Sequence, residues 1–214
     1  MASSSQITLS EALPSDFETF PTISHLAFSP TQINQLMFPA GLDASDISRN
    51  ASKYEDRATN GCSKFVKAVS AEGEIVGFSE WLYFTEEKGM TKKPNDIPDW
   101  GPNANSELCD LFFGSLHKAR IEAMEGKRCL VLQILAIHPS HQGKGVGTRL
   151  LQEGLRQADE LGLPVWVEAS EKGRPLYRKF GFNDFKTIEI DLAEWGGKGI
   201  DKHVCMLREV HIES

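Results

Sequence analysis

The clearest chemical signal in the sequence is a glycine-rich turn between a predicted strand and a predicted helix. Residues 142–147 read Gln-Gly-Lys-Gly-Val-Gly, and glycines let a ligand approach the backbone closely because they carry no Cβ atom. The first amides of a helix lack acceptors within it, and the helix dipole adds partial positive charge at that end. Lys144 and Arg149 add formal positive charge nearby. The segment therefore predicts a site for an anion such as a pyrophosphate.

The glycine spacing separates the known classes of phosphate-binding turn. A Walker A loop requires Gly-x-x-x-x-Gly-Lys followed by Ser or Thr, and a dinucleotide fingerprint requires Gly-x-Gly-x-x-Gly; residues 142–147 fit neither. At every defined position they resemble the coenzyme A pyrophosphate motif of the GNAT (Gcn5-related N-acetyltransferase) superfamily, Gln/Arg-x-x-Gly-x-Gly/Ala. The alternative is a glycine-rich turn that binds no ligand.

A second segment, Val165 to Phe182, is similar to the later GNAT motif. In that motif a strand ends, a small polar residue follows, and a short helix reads Leu-Tyr-x-x-x-Gly-Phe. The matching residues are Leu176, Tyr177, Gly181 and Phe182. The resemblance covers roughly Lys64 to Leu192 and is strongest from Val131 to Phe182.

The resemblance implies an α/β GNAT fold, which we expect to be one domain over residues 1–214. Its mixed central sheet would have splayed central strands and helices on both faces, with acetyl-coenzyme A in the gap between strands 130–138 and 163–169. The amide of Ile137 would polarise the thioester carbonyl as an oxyanion donor does. The predicted coenzyme-binding residues are Leu135, Ala136, Ile137, Gln142, Gly143, Lys144, Gly145, Val146, Gly147, Thr148, Ser170 and Tyr177.

Tyr177 is the predicted general acid. In the resemblance, the tyrosine at this place lies near the coenzyme sulfur and returns a proton to the leaving thiolate. A phenol whose pKa is near ~10 stays protonated at neutral pH and can donate. The alternative is a tyrosine that only packs on a short helix.

The base that deprotonates the amine is less well defined by the sequence. Some GNAT enzymes carry a glutamate on the strand before the glycine turn, where this chain has Gln133, which could hold a relaying water. Glu168 is the best nearby carboxylate, unless it is a solvated residue at a strand end. Weaker candidates are His138, His141 and Glu80.

Hydrophobic periodicity predicts the elements that position these residues. The second half alternates, with predicted strands 128–138, 163–169, 185–192 and 203–210 and helices 145–161 and 173–180. The first half predicts strand 7–12, a helix capped by Ser15 or Asp16, helical pieces to about residue 58, and a hairpin of strands 64–70 and 75–84. A polar loop, 85–105, and a helix, 107–124, form an insert, 85–128, before the central strand.

The composition of the chain argues against several classes of function. The 214 residues are 40% hydrophobic and carry a net charge of −7, which fits a folded domain without the basic face of a nucleic-acid binder. Because the sequence has neither a membrane-spanning apolar run nor a secretory signal, we expect a cytoplasmic protein without nucleic-acid or membrane partners. The cysteines are widely spaced, which predicts reduced thiols and no metal site; they are Cys62, Cys109, Cys129 and Cys205.

The expected acceptor is a small-molecule amine, because the insert could cover a compact pocket. Trp81, Tyr83 and Phe84, with Trp100, would provide aromatic walls for the bound substrate, unless they serve ordinary packing. Two other functions stay open at this point. The chain could acetylate a protein N-terminus or lysine in an open groove, or it could bind acyl-coenzyme A without catalysis.

Overall fold

The computed structural model of the chain describes residues 7–61, 63–87, 89–90 and 99–210. These residues form two compact units, each assembled from separate stretches of sequence. Unit 1 contains the described residues of Met1–Phe28, Leu42–Leu82 and Leu132–Arg156. Unit 2 contains those of Ser29–Gly41, Tyr83–Val131 and Gln157–Ser214.

Strands and helices alternate along the second half of the chain, as predicted. The strands are β1 Thr8–Glu11, β2 Ser63–Val69, β3 Ile75–Phe84, β4 Cys129–Ile137, β5 Val165–Ser170, β6 Asn183–Asp191 and β7 Ile200–Arg208. The α-helices are α1 Phe20–Phe28, α2 Gln32–Met37, α3 Ala44–Thr59, α4 Ser106–Met124, α5 Val146–Leu161 and α6 Arg174–Lys179.

The strands form a sheet in the order β1-β2-β3-β4-β5-β7-β6, in which β4 contributes residues to both units. β2 pairs antiparallel with β1 and β3, and β7 pairs antiparallel with β5 and β6. The Leu130 amide donates to the Pro164 carbonyl, 3.0 Å away, where β4 and β5 both begin, so these two strands run in the same direction. The predicted mixed α/β sheet is therefore confirmed.

The apolar residues of β4 are buried or partly buried, and its first four residues are fully buried. Within unit 1, Ile134 and Ala136 pack on an aromatic cluster that includes Phe20 of α1. Leu135 and Ile137 pack in a separate cluster with residues of α5. Alternate side chains of β4 thus lie on opposite faces of the sheet, as the two-residue period of a β-strand requires. This packing fixes where β4 ends and the glycine turn begins.

The predicted apolar face of α5 is confirmed. All five residues of that face are buried: Val146, Leu150, Leu151, Leu155 and Ala158. They follow the helical period, so burying them orients the helix and places its first residue in the core.

The first helix begins later than the sequence pattern predicts. Residues Pro14–Asp16 form a short 3-10 turn, and α1 begins only at Phe20. Asp16 accepts a hydrogen bond from the Leu13 amide at 2.6 Å and pairs with Lys67 Nζ at 2.6 Å. The side chain predicted as a helix cap therefore stabilises the preceding turn and an ion pair with β2.

Trp81 and Gly154 determine how α5 lies on β3 within unit 1. Trp81 is 1% exposed, and a Cβ atom at Gly154 would lie 2.0 Å from its Cε2 atom. Such a contact is far inside van der Waals distance, and the indole is held by the core around it. Only glycine at position 154 allows this packing.

We predict that Gly154→Ala destabilises the protein by about 1–3 kcal/mol, because overpacking at Trp81 outweighs the higher helix propensity of alanine. Gly114→Ala on α4 is the matched control, since a Cβ atom there meets no atom within 4 Å. The control should gain up to about 1 kcal/mol. Denaturant unfolding measures both, and a Gly154→Ala protein as stable as the original would contradict the packing.

Candidate functional site

The glycine turn is closed onto the end of β4. The His138 amide donates to the Val76 carbonyl of β3 at 2.9 Å, which continues the sheet one residue beyond Ile137. Gln142 Nε2 donates to the Ile137 carbonyl at 3.0 Å. The Gln142 side chain, which the sequence predicts to bind coenzyme A, thus also holds the turn against the strand.

The turn has room for a ligand at the start of α5. Gly143 and Gly145 adopt φ values of 73° and 82°, which favour glycine, and a Cβ atom on either would meet no atom within 4 Å. The Arg149 amide donates to the Gly145 carbonyl at 3.1 Å, so the amides of residues 146–148 precede this bond of the helix. Lys144 is exposed beside them. Several amides, a lysine and open space fit the donor set that a pyrophosphate requires.

Arg149 was expected to add charge to this turn, and the structure gives it a structural contact as well. Its Nη1 atom donates to the Ile7 carbonyl at 2.6 Å. The guanidinium thus ties the first turn of α5 to the segment that leads into β1. Its positive charge still lies on the first turn of the helix.

The backbone of β4 before the turn is held by close packing on β3. A Cβ atom at Gly77 would lie 3.0 Å from the Ala136 carbonyl oxygen and 2.8 Å from Ile137 Cδ1. Gly77 therefore allows the two strands to approach beside Leu135, Ala136 and Ile137, which the sequence predicts to bind coenzyme A. Leu135 and Ile137 are only partly buried, and Ala136 is fully buried.

In unit 2, the end of β5 and the start of α6 bring Ser170 and Tyr177 together. Ser170 Oγ accepts a hydrogen bond from the Gly173 amide at 3.2 Å. A Cβ atom at Gly173 would lie 3.4 Å from Ser170 Oγ and 3.3 Å from Tyr177 Cε2. The two side chains predicted from the second motif therefore flank the same glycine.

Tyr177 is buried, and its environment keeps the hydroxyl protonated. Burial raises the pKa of Tyr177 above its ordinary value, and the negative charge of Glu168 raises it further. The ring also packs edge-on against Phe182 at 5.7 Å. A phenol that holds its proton at neutral pH suits a proton donor.

Glu168 is engaged by an arginine that the sequence patterns did not single out. Arg120 of α4 donates to both Glu168 oxygens at 2.8 Å, and Trp166 Nε1 also donates to Oε1. Burial alone would lower the pKa of Arg120, but the charge and hydrogen bonds of Glu168 raise it overall. With both oxygens occupied, Glu168 is better placed to stabilise charge than to accept a proton. The sequence feature that could have identified Arg120 is an arginine placed among the apolar residues of a predicted helix.

The other base candidates have defined partners or surroundings. Glu80 is fully buried and accepts from Arg57 at 2.6 and 2.9 Å. His138 and His141 each place Nδ1 near Ser140 Oγ, at 2.7 and 2.9 Å. Gln133 is exposed on β4. Glu80 therefore holds α3 to β3 within unit 1, and the histidines stabilise the turn.

The aromatic residues predicted to bind the acceptor are in different environments. Trp81 is in the core against α5, so its geometry supports packing rather than contact with a substrate. The Tyr83 hydroxyl is hydrogen-bonded to Gln157, and Phe84 is partly buried. Trp100 stacks on Phe113 of α4, with the ring centroids 4.7 Å apart.

Residues at both ends of the insert loop are attached to neighbouring structure in unit 2. Met90 exchanges backbone hydrogen bonds with the 126–127 segment, at 2.8 and 2.9 Å. Trp100 Nε1 donates to Asp110 at 2.8 Å, and the Asn105 amide donates to the Met37 carbonyl at 2.8 Å. The predicted helix of the insert is confirmed as α4. Residues 88 and 91–98 of the predicted insert loop lie outside the described residues.

The described cysteines are buried free thiols, as expected, and Cys62 lies outside the described residues. Burial raises the pKa of Cys109 and Cys205 to about 12 and that of Cys129 to about 11. A thiolate nucleophile would require a lowered pKa. These cysteines therefore do not provide a nucleophile at neutral pH.

The described residues contain neither a candidate membrane-spanning helix nor a candidate metal site. None of their helices is both long and apolar enough to cross a membrane. Within the same residues, no group of three or more His, Cys, Asp or Glu side chains could hold a metal ion.

Part of the chain matches a family of known proteins. Residues 113–184 match the family model for an acetyltransferase (GNAT) domain. The chain is similar in structure to arylalkylamine N-acetyltransferase 2 from Aedes aegypti, with a TM-score of 0.67, 13% identity and coverage of 96% of this chain and 100% of that one.

Two further structures show the same fold. For a mosquito arylalkylamine N-acetyltransferase like 5b, the TM-score is 0.62 at 19% identity, covering 95% and 99% of the two chains. For a histone acetyltransferase HPA2 and related acetyltransferase from Corynebacterium glutamicum, it is 0.59 at 18% identity, covering 97% and 98%.

Proposed function

We propose that this chain, whose residues 113–184 match the model for an acetyltransferase (GNAT) domain, is a GNAT enzyme that transfers the acetyl group of acetyl-coenzyme A to a primary amine on a small molecule. The open glycine turn at the start of α5 is the observation that carries the proposal. Residues 142–148 would bind the pyrophosphate, and residues 135–137 of β4 would bind the pantetheine arm. The Ile137 amide would polarise the thioester carbonyl.

The transfer would take place by direct attack of the amine. The thiols of Cys109, Cys129 and Cys205 have raised pKa values, which disfavours a covalent acyl-enzyme. Tyr177 would donate a proton to the departing sulfur, because its hydroxyl stays protonated and flanks Gly173 beside Ser170. Glu168 would act as a fixed charge held by Arg120.

A small cationic amine fits the chain better than a protein acceptor. The net charge of −7 favours attraction of a cation. The anchored loop ends and α4 of the insert support a covered acceptor site in unit 2. One of the similar structures is named an arylalkylamine N-acetyltransferase and another an arylalkylamine N-acetyltransferase like protein, which agrees with a small amine as the acceptor.

The proposal is tested by measuring coenzyme A release from acetyl-coenzyme A with a panel of amines. The panel contains arylalkylamines, polyamines, amino acids, a lysine peptide and a peptide with a free N-terminus. We expect release to depend on a small-molecule amine. Preference for a peptide would indicate a protein acceptor, and tight coenzyme A binding without release would indicate a binding module.

Gly147→Val should lower coenzyme A affinity at least tenfold, about 1.4 kcal/mol. A Cβ atom there would lie 3.6 Å from Ile137 Cγ1, an ordinary contact, so the fold tolerates a first added carbon while the branched side chain occupies the ligand space. Calorimetry measures the affinity, with Gly114→Ala as the control. Unchanged binding by a folded Gly147→Val protein would refute the assigned pyrophosphate site.

Tyr177→Phe should lower kcat by roughly a hundredfold to ten-thousandfold, because it removes only the proton donor. The edge-on contact with Phe182 is retained by the phenylalanine ring. Coenzyme A should still bind, since the phenylalanine keeps the ring of this predicted coenzyme-binding residue and loses only the hydroxyl. Steady-state kinetics and calorimetry separate the two effects. A kcat within threefold of the original would assign Tyr177 to packing.

A further inference from the structure

The amine still requires a proton acceptor, because an alkylamine is protonated at neutral pH and cannot attack a thioester in that form. The two carboxylates considered for this role are each held by an arginine, Glu80 by Arg57 and Glu168 by Arg120. When a carboxylate with two charge-assisted hydrogen bonds accepts a proton, it loses the negative charge that strengthens them, which disfavours the protonation. The base is therefore better sought elsewhere in unit 2, which carries Tyr177.

His203 of β7 has the geometry of an oriented base. Its Nδ1 atom lies 2.9 Å from Asp201 Oδ2, and both side chains are 17% exposed. The two residues are two positions apart on one strand, so they lie on the same face of the sheet. Because a carboxylate accepts the hydrogen bond, Nδ1 of the neutral imidazole carries the proton and Nε2 has the free lone pair.

His203 is also close to the proposed acid along the sheet. It pairs directly across from Ser170 of β5, and directly opposed residues have Cβ atoms about 4.5–5.5 Å apart. Ser170 and Tyr177 flank Gly173, at 3.4 and 3.3 Å from its Cβ position. Neighbouring side chains thus connect His203 to Tyr177 within unit 2.

The insert helix covers this part of the sheet. Phe112 of α4 packs edge-on against the His203 ring, with the centroids 4.8 Å apart. An apolar ring at this position shields the imidazole from part of the solvent while its partial exposure leaves access for a substrate. The site combines an oriented imidazole with restricted water, as general-base catalysis favours.

The charged groups near His203 can be assigned from the elements around it. Glu168 of β5 lies opposite Cys205, which is two residues from His203 on the same face of β7. The Glu168 carboxylate forms an ion pair with Arg120 of α4. On β6, Ile188 lies opposite His203, and Lys186, opposite Cys205, pairs with Glu122. Asp201 is the charged group in direct contact with the imidazole.

We propose that His203, oriented by Asp201, is the general base that deprotonates the acceptor amine; this inference rests on the proposed acetyltransferase function. His203 Nε2 takes one proton from the ammonium and later releases it to solvent. The nitrogen lone pair forms the bond to the acetyl carbon as the carbon–sulfur bond breaks. The sulfur keeps that electron pair and takes a proton from Tyr177, which recovers one from the new amide nitrogen.

The test compares His203→Gln with His117→Gln, using the best alkylamine of the panel. His117 is an exposed histidine of α4 and serves as the control. At pH 7, His203→Gln should lower kcat/KM for the amine by roughly a hundredfold to ten-thousandfold, with coenzyme A affinity and melting temperature unchanged. Asp201→Asn should also lower kcat/KM for the amine, because the tautomer of His203 is no longer fixed.

The pH dependence distinguishes a base from a structural histidine. At pH values below the pKa of the amine, the neutral fraction of the amine rises tenfold per pH unit. The loss of kcat/KM caused by His203→Gln should therefore shrink steadily from pH 7 to pH 9.5. A deficit that is constant across this range, or a kcat/KM within threefold of the original at pH 7, would overturn the proposal. If the unaltered protein releases no coenzyme A with any amine, the proposed function fails instead.

Discussion

Burial of β4 on both of its sides is the constraint on which the coenzyme-binding turn depends. Ile134 and Ala136 pack among aromatic side chains, while Leu135 and Ile137 pack beside α5. Burying a large apolar side chain stabilises the fold by about 1.5–3 kcal/mol. A shift of one residue would exchange the two sets and place each against the wrong neighbours. The strand therefore ends at a fixed residue, and the turn follows at a fixed place.

Buried charges impose a second constraint, because each needs a partner. Glu80 and Glu168 are each bound by two guanidinium nitrogens, from Arg57 and Arg120. Removing the arginine from either pair leaves a buried carboxylate uncompensated, at a cost of about 3–5 kcal/mol. These carboxylates stabilise the elements that position the site. Chemistry that requires a free lone pair is then left to the imidazole of His203.

The parts of the fold that depend on local sequence could be predicted. The apolar run of β4, the glycines of the turn and the helical period of α5 are all neighbours in sequence, and their bounds agree to within a residue or two. The pairing of Arg120 with Glu168 joins residues 48 apart, and the fit of Trp81 on Gly154 depends on tertiary packing. Such contacts leave no periodic signal.

The proposed acid and base illustrate the same division. Tyr177 was identified because its motif is contiguous in sequence, and its raised pKa agrees with a donor. His203 was not identified, because its relation to Ser170 arises from the register between β5 and β7. An Asp-x-His sequence at the start of a strand is common enough to predict nothing by itself. The register gives that sequence its proposed role.

The insert is connected to the proposed chemistry through α4 rather than only through its loop. Arg120 holds Glu168, whose charge raises the pKa of Tyr177, and Phe112 packs on His203. Through Arg120, α4 contacts Glu168, which raises the pKa of the proposed acid, and through Phe112 it contacts the ring of the proposed base. Phe112 and Arg120 are eight residues apart on the buried side of α4. Eight residues of helix span about 12 Å, so the packing of α4 within unit 2 sets both environments together. A change that shifts this helix should therefore alter acid and base jointly, whereas a change in the loop alone should leave them intact.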